Sequence, residues 1–458
     1  MKRRLVTFSL DHPVLIVLLT LALVAFSAGL GVYRGIRDNW DVVDTDPENM
    51  LSEQEAVRIF HNATKKEFSL HDIIVLGIAN ERDPDGVFNP GTLSAILSLT
   101  EFIKGLDGVI TYDVIAPSEV DKIEHLGPGV ISLTRLMKEA PADRVEAARI
   151  RDDAKRDPLL YGTLLSEDAK AICIYVPIRE KKISHEIASK IRQKARDLGM
   201  REMDYRSLAE GAGGRLVIEG DAFGITGLPV AEDTFGTEMF KQMAISAPLA
   251  MLVIFILMML FFRKFVLVLS PMIVAMVSMI CTMGFLVGFG YTVHIMSSMI
   301  PIFLMPIAVV DSVHILSEFF DRYRKFHDAR KTVLAVMDEL FVPMLYTSLT
   351  SAAGFASLAL TPIPPVQVFG LFVAFGIMLA WILTVTLIPA YIMFIPRSRL
   401  ETYGAAHDEK GEHRATLLTR GLQTLGTMTV RRAKPILGLT LAVIALSAYG
   451  VSLIRVND

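Results

Sequence analysis

The sequence has little cysteine and none of the patterns that mark an enzyme. Only two cysteines occur among 458 residues. Cys173 stands in a mixed polar region and Cys281 in an apolar run, so a disulfide framework is excluded. No catalytic triad, metal-ligand spacing or phosphate-binding loop is found, which argues against an enzyme and predicts neither a metal nor an organic cofactor. The formal net charge of −3 gives no reason to expect nucleic-acid binding.

Charge is also scarce between residues 243 and 395, whereas 35–240 has the composition of a soluble domain. The whole chain is 52% hydrophobic, above the roughly 45–50% of soluble proteins. A bilayer core needs about 20 consecutive apolar residues per helix. Seven stretches meet that requirement and are predicted to be membrane spans: 13–32, 243–262, 266–289, 296–319, 342–361, 366–395 and 435–454.

The loops between the predicted spans are alternately basic and free of Lys and Arg, and basic loops are cytoplasmic. The loops at 291–294 and 361–367 contain neither residue. We therefore expect the N-terminus in the cytoplasm and both 35–240 and Asp458 outside. The residues that mark the cytoplasmic side are Lys2, Arg3, Arg4, Arg263, Lys264, Arg322, Arg324, Lys325, Arg330, Lys331, Arg397 and Arg399.

The first predicted span recurs near the end of the chain. Residues 21–28 read LALVAFSA and residues 441–448 read LAVIALSA. This favours a tandem repeat of about 420 residues, with 435–458 as the start of a second copy; the alternative is a complete seven-span protein. A cleaved signal peptide is a weaker interpretation of the first span, because its apolar run is long.

Two βαβ units are predicted in the outside domain. The first comprises a strand at 71–80, a helix from Asn89 to Leu106 and a strand at 108–114. The second comprises a strand at 170–178, a helix at 183–199 and a strand at 214–219. A polar helical insert at about 130–157 separates them. The pattern predicts a ferredoxin-like α/β domain.

The fourth predicted span contains an ionisable stripe. Asp311 stands 11 residues before Arg322, which places it about 16 Å into the membrane, where a charge costs at least about 2.5–3.5 kcal/mol. His314 and Glu318 follow at i+3 and i+7 on the same helix face. Such groups can load and release protons, so the stripe predicts a proton relay. The alternatives are a structural Asp311, a hydrogen-bonded core histidine and a solvated Glu318.

The fifth predicted span carries a face of small and hydroxylated residues. Residues of this kind allow helices to approach closely and to hydrogen-bond in lipid, so helix packing is the favoured interpretation. Support of proton transfer beside Asp311 is the alternative. The face consists of Thr347, Ser348, Thr350, Ser351 and Gly354.

At these residues the chain resembles the resistance-nodulation-division (RND) superfamily, in its MMPL, Patched and sterol-sensing-domain branch. The motifs are AVVDSVHIL at 308–316, TSLTSAAGFASLAL at 347–360, LIPA at 387–390 and ITGLPVAEDT at 225–234. The resemblance implies the N-terminal half of an exporter of the bacterial inner membrane, driven by proton motive force through Asp311. Relatives carry a second aspartate or a tyrosine after the acidic residue, whereas Ser312 stands here.

The resemblance also implies partners and a domain plan. The partners are a second transporter half and a hydrophobic or amphiphilic molecule, such as a lipid; homo-oligomerisation is left open. The competing functions are a lipid- or sterol-sensing module that does not pump and an accessory subunit of protein secretion.

The predicted fold is a polytopic α-helical membrane protein with one span, an extracytoplasmic porter-type α/β domain, five clustered spans and the first span of a second repeat. The predicted domains are 1–34 (cytoplasmic N-terminus and first span), 35–240 (extracytoplasmic), 241–396 (sterol-sensing-domain-like), 397–434 (cytoplasmic linker) and 435–458 (seventh span).

Overall fold

The computed structural model describes residues 2–40, 42–44, 46–127, 130–203, 220–262, 265–397, 400 and 417–454. The chain divides into two compact units, Met1–Phe394 and Ile395–Asp458. In chain order the described helices are α1 (Lys2–Asp11), α2 (Pro13–Arg37), α3 (Ala56–Glu67), α4 (Pro90–Lys104), α5 (Arg144–Arg156), α6 (Ser184–Asp197), α7 (Leu228–Phe262), α8 (Phe265–Gly288), α9 (Ile300–Phe326), α10 (Ala329–Ala356), α11 (Pro364–Met393), α12 (Leu417–Arg431) and α13 (Ala433–Ser452).

Among the described residues, seven helices are long and apolar enough to cross a membrane, and each overlaps one of the predicted spans. They are α2, α7, α8, α9, α10, α11 and α13. Two start well before the predicted apolar run: α7 at Leu228 and α10 at Ala329. The predicted domain boundary at 240 therefore falls inside a continuous helix. The basic residues of the fourth loop lie on the ends of α9 and α10, which only His327 and Asp328 separate.

The short helix α1 packs on α10 and α11, an arrangement that the sequence did not predict. Val6, Ser9 and Leu10 are buried, and the Ser9 hydroxyl donates to the carbonyl of Thr386. Two ion pairs tie its ends to α10: Arg3 to Asp338 at 2.8 Å and Asp11 to Arg330 at 2.6 Å. The residues before the first span are thus an integral part of the helix bundle.

The first span packs closely on α8 through small residues. A Cβ atom placed on Gly284 would lie 2.6 Å from the carbonyl oxygen of Ser27, and one on Gly288 would lie 2.5 Å from Leu30. Gly31 also approaches the backbone of Gly284. Ser27 and Gly31 on α2, like Gly284 and Gly288 on α8, are spaced by four residues. This is the small-xxx-small pattern of closely packed membrane helices.

The part between the first and second spans contains a four-stranded sheet. Its spatial order is β5 (Ala171–Ile178), β2 (Asp72–Asn80), β7 (Asp221–Thr226), β6 (Arg201–Glu202). β2 is antiparallel to both neighbours, and β6 is parallel to β7. Alternate residues of β2, namely Ile74, Leu76 and Ile78, are fully buried, as period-two patterning requires. The buried faces of α4 and α6 complete this core.

The predicted βαβ units are only partly observed. The strand predicted at 108–114 is wrong: Gly108 has a positive φ of 88°, residues 111–113 form a 3₁₀ helix, and the segment contacts β5 through isolated bridges. The second unit, β5–α6–β6, connects two strands that run parallel to each other, but they are not neighbours in the sheet because β2 and β7 lie between them. The strand predicted at 214–219 lies outside the described residues.

The helical insert predicted at 130–157 is also wrong in its first part. Residues Val130–Arg135 form β4, which pairs antiparallel with β3 (Asp121–Gly127), and only Arg144–Arg156 is helical. Ile131 and Leu133 alternate with Ser132 and Thr134, a period of two that favours a strand. The remaining described strands, β1 (Val43–Asp44) and β8 (Val293–His294), form a parallel pair.

Lys181, which follows β5, contacts the segment after the first span and the start of α7. Its ammonium lies 2.6 Å from Glu48, 3.2 Å from Glu232 on α7 and 3.5 Å from Asp46. Burial opposes the charged form of Lys181, but the three carboxylates prevail and raise its pKa above the usual value. A raised pKa means that the stabilisation is present at neutral pH and is lost only when strongly alkaline pH deprotonates the amine.

Lys181→Gln is therefore expected to lower the free energy of unfolding by about 1–2 kcal/mol, because three neighbouring carboxylates lose their counter-charge. Thermal unfolding, followed by size-exclusion chromatography in detergent, measures the loss. Lys190→Gln is the matched control, since Lys190 forms an exposed pair with Glu186 alone among the residues that the structure describes. Equal melting temperatures for the two variants would contradict the assignment of Lys181 as a structural clamp.

Candidate functional site

Asp311 is buried near the middle of α9. Its side chain is 7% exposed, and the Ser348 hydroxyl of α10 donates to its Oδ2 atom at 2.8 Å. Apolar residues within two turns of Asp311 on the same helix, among them Ala308, Ile315 and Leu316, are also buried. A buried carboxyl group is costly unless it is hydrogen-bonded, and Ser348 supplies such a bond.

The polar face of the fifth span divides into one residue that contacts Asp311 and others that do not. Ser348 is buried. Thr347 and Thr350 are exposed, and their hydroxyls donate to carbonyls of their own helix, those of Pro343 and Tyr346. Ser351 is half-buried, and a Cβ atom on Gly354 would meet no atom within 4 Å. For the residues other than Ser348, a role in helix packing stays a prediction.

A second polar pair, which the sequence analysis missed, lies next to Asp311. Ser312 and Thr384 of α11 are both fully buried, with their hydroxyl oxygens 3.5 Å apart. Thr384 stands in the apolar run of the sixth span, and nothing in its local pattern indicates a contact with the fourth. The three helices α9, α10 and α11 thus meet around hydroxyl groups and one carboxyl group.

His314 and Glu318 occupy different surroundings from Asp311. His314 lies on the exposed side of α9, three residues after Asp311. Glu318 is half-buried and forms an ion pair with Arg322 at 2.7 Å; Arg322 also binds Glu339 of α10. The predicted stripe therefore contains a buried carboxyl, an exposed imidazole and a carboxylate that is ion-paired within α9 to Arg322, the residue that reaches α10.

Metal-binding geometry is not found at this centre. Across the described ranges, no group of three or more His, Cys, Asp or Glu side chains is placed to hold an ion. What the site offers is one carboxyl group that can gain and lose a proton, beside hydroxyl groups that can hydrogen-bond to either form.

The fold and the site define a multi-pass membrane protein whose clustered spans enclose a carboxyl group. The model of the MMPL family matches residues 129–436, which is about two thirds of the sequence, and the chain belongs to this family. It is also similar to a membrane protein of Methanocaldococcus jannaschii, with 22% identity over 172 residues. That match covers 38% of this chain and 44% of the relative, so less than half of the relative's length is represented.

Proposed function

We propose that the chain belongs to an exporter of a hydrophobic or amphiphilic molecule, above all a lipid, driven by proton motive force. Membership of the MMPL family supports transport of lipid-like substrates rather than enzymatic catalysis. The transport reaction needs no cofactor beyond the proton gradient. The observation that carries the proposal is the buried Asp311 carboxyl group and its hydrogen bond to Ser348.

The hydroxyl of Ser348 suits a carboxyl group that changes its protonation state. It can donate to the ionised form and accept from the protonated form, so neither state leaves a buried polar group unpaired. A lysine or arginine partner would instead hold the carboxylate permanently ionised. Asp311 with Ser348 is therefore the proton-carrying pair of the proposal, and Ser312 and Thr384 provide further hydroxyls beside it.

The exposed His314 supports a second transporter half as partner. In hydrocarbon a polar side chain needs a polar neighbour, which lipid does not provide. A second half that covers this face of α9 would supply that neighbour and complete the relay. Glu318, already paired with Arg322, serves in the proposal as a link to the cytoplasmic end of the helix.

A lipid-sensing module that does not pump is the second candidate. It is supported by an apolar groove of about 550 Å³ between α7 and α9, where Leu257, Phe261 and Val310 form part of the lining. A sensor would bind lipid there with or without a titrating Asp311. Transport measured under an imposed pH gradient, in vesicles that also contain the second half, separates the two: a sensor would show no gradient-dependent export.

The proposed orientation places the sheet domain outside and the α9–α10 junction in the cytoplasm. Single cysteines at the exposed positions Pro84 and Lys325 should react with an impermeant maleimide from opposite sides of the bacterial inner membrane, Pro84 from outside. The background must lack Cys173 and Cys281, because labelling of these native cysteines would be confused with labelling of the introduced ones. Burial raises the pKa of the Cys173 thiol, which slows its reaction with maleimide but does not prevent it. Labelling of both positions from one side would refute the orientation.

A further inference from the structure

The helix α12 stands directly before the seventh span. It ends at Arg431, and α13 begins at Ala433, so only Arg432 separates the two helices. The helix is interrupted there because Pro435 has no N–H group and its ring conflicts with the carbonyl group of Arg431, four residues earlier. The apolar run of the seventh span starts at Pro435, only about 6 Å beyond the end of α12 at 1.5 Å per residue. The C-terminal end of α12 therefore lies at the membrane surface.

The apolar residues of α12 recur on one side of the helix. At about 100° per residue, positions 417, 418, 422, 425 and 428 fall within an arc of about 140°. All five are Leu or Met, and Val430 is the exception outside the arc. We call these five residues the apolar row. Leu425 and Met428 of this row are 58% and 46% exposed. Thr427 stands on the opposite side of the helix, so α12 is amphipathic.

The charge around α12 has one sign. No Asp or Glu occurs between His413 and Asn457. The basic residues of α12 and of its junction with α13 are Arg420, Arg431, Arg432 and Lys434. The last three of these are exposed. A basic amphipathic helix is typical of segments that bind a membrane surface, and the excess positive charge favours an anionic one.

Two orientations of α12 are compatible with an end at the membrane surface. If the helix pointed away from the bilayer, its apolar row would lie in water along about 22 Å. If the helix lies along the surface, the apolar row enters the boundary between headgroups and acyl chains, and the basic side chains reach the lipid phosphates. Removal of apolar surface from water favours the second orientation. Lys and Arg at the surface further favour anionic over zwitterionic lipids.

We propose that α12 is an interfacial helix that binds anionic phospholipids, on the cytoplasmic side in the proposed orientation. The apolar row anchors the helix in the membrane surface, and the four basic residues bind the headgroups. The segment predicted as a linker thus contains a membrane-binding element. This inference stands whether or not Asp311 carries protons, since it does not involve the site around that residue.

The test uses the full chain in phosphatidylcholine nanodiscs, with or without phosphatidylglycerol. In a background that lacks Cys173 and Cys281, either Leu425→Cys or Thr427→Cys carries a fluorescent label, and quenching by acrylamide from the aqueous phase is measured. With phosphatidylglycerol present, quenching should be about threefold weaker at position 425 than at 427, because lipid shields the apolar row. Omission of phosphatidylglycerol, or addition of high salt, should remove most of this difference, since the electrostatic attraction is lost.

A variant without the described basic residues provides an independent comparison. Arg431→Gln, Arg432→Gln and Lys434→Gln in combination should have the same effect as omission of phosphatidylglycerol. The matched control removes three exposed cations from the sheet domain by substituting Gln for each, and its quenching should equal that of the wild type. These control positions are Lys138, Arg149 and Lys155.

Two results would overturn the proposal. Equal quenching at positions 425 and 427 in the presence of phosphatidylglycerol would place α12 in water. Protection of position 425 that is equally strong in phosphatidylcholine alone, or that survives the triple substitution, would mean that protein or uncharged lipid covers the apolar row. The comparisons of lipid and salt keep all basic residues in place, so they decide the question even if the triple variant does not fold.

Discussion

Asp311→Asn is expected to abolish proton-driven export and to leave the protein folded. Asparagine has almost the same size and can still accept the hydrogen bond of Ser348, so the free energy of unfolding should change by less than about 1 kcal/mol. It cannot take up a proton, however, and no water at that depth can replace the lost group. Export of a fluorescent lipid from vesicles under an imposed pH gradient, with the second half present, should fall to the level of protein-free vesicles.

Graded effects at neighbouring residues serve as controls for that result. Ser348→Ala should slow export without abolishing it, because the carboxyl group remains but loses its partner. His314→Ala should also weaken export. Glu318→Gln should have the smallest effect, since Arg322 keeps its ion pair with Glu339. Wild-type export in Asp311→Asn would refute the proton-carrier assignment and leave the lipid-sensing function as the better explanation.

Gly284→Ala is expected to destabilise the packing of the first span on α8. The added methyl group would lie 2.6 Å from a backbone oxygen of Ser27, which cannot move without its helix. Overpacking of this kind costs about 1–3 kcal/mol, and Gly284→Leu should cost more and prevent stable folding. The measurement is the melting temperature of the purified protein in detergent, followed by loss of the monodisperse size-exclusion peak.

The matched control is Gly29→Ala on α2, where a Cβ atom would meet nothing within 4 Å. Alanine has the higher helix propensity, by up to about 1 kcal/mol, so this variant should be as stable as the wild type or slightly more stable. The same glycine-to-alanine substitution is thus expected to lower the stability of the protein at position 284 and to preserve or raise it at position 29. Equal destabilisation by both would show that the close approach of Ser27 and Gly284 does not hold the first span in place.

The membrane spans could be predicted from the sequence because hydrocarbon imposes a length and an apolar composition on each helix. All seven predicted spans correspond to helices that meet those criteria. Their ends were less predictable: α7 and α10 continue for a dozen or more residues beyond the apolar runs, because a helix can leave the membrane without a change in backbone. Asp311 stood out in the sequence for the same physical reason, since a carboxyl group in such a run is costly, and its role as a proton carrier stays a prediction.

Contacts between segments distant in the sequence could not be predicted in this way. Ser348 contacts Asp311 and Thr347 does not, yet the two are adjacent and chemically similar; only the rotation of α10 against α9 decides between them. The approach of Ser27 to Gly284 was missed because each small residue is unremarkable in its own helix.

The failure to predict the hairpin of β3 and β4 has a different cause. The alternation of Ile131 and Leu133 with polar neighbours was present in the sequence. Because charged residues typical of an exposed helix follow it, the predicted helix was started too early. The helix begins at Arg144, with Asp143 as its N-cap, a signal that could have set the boundary.

The most direct measurement of the central claim is modification of Asp311 by a hydrophobic carbodiimide, which reacts with protonated carboxyl groups in apolar surroundings. Protein in nanodiscs is treated over a series of pH values, and the modified peptide is quantified by mass spectrometry. We expect the peptide with Asp311 to be modified strongly at acidic pH and progressively less as the pH rises, whereas Glu318, held by Arg322, is not modified. Absence of modification at Asp311 at every pH, or modification that does not change with pH, would contradict its role as a reversible proton carrier.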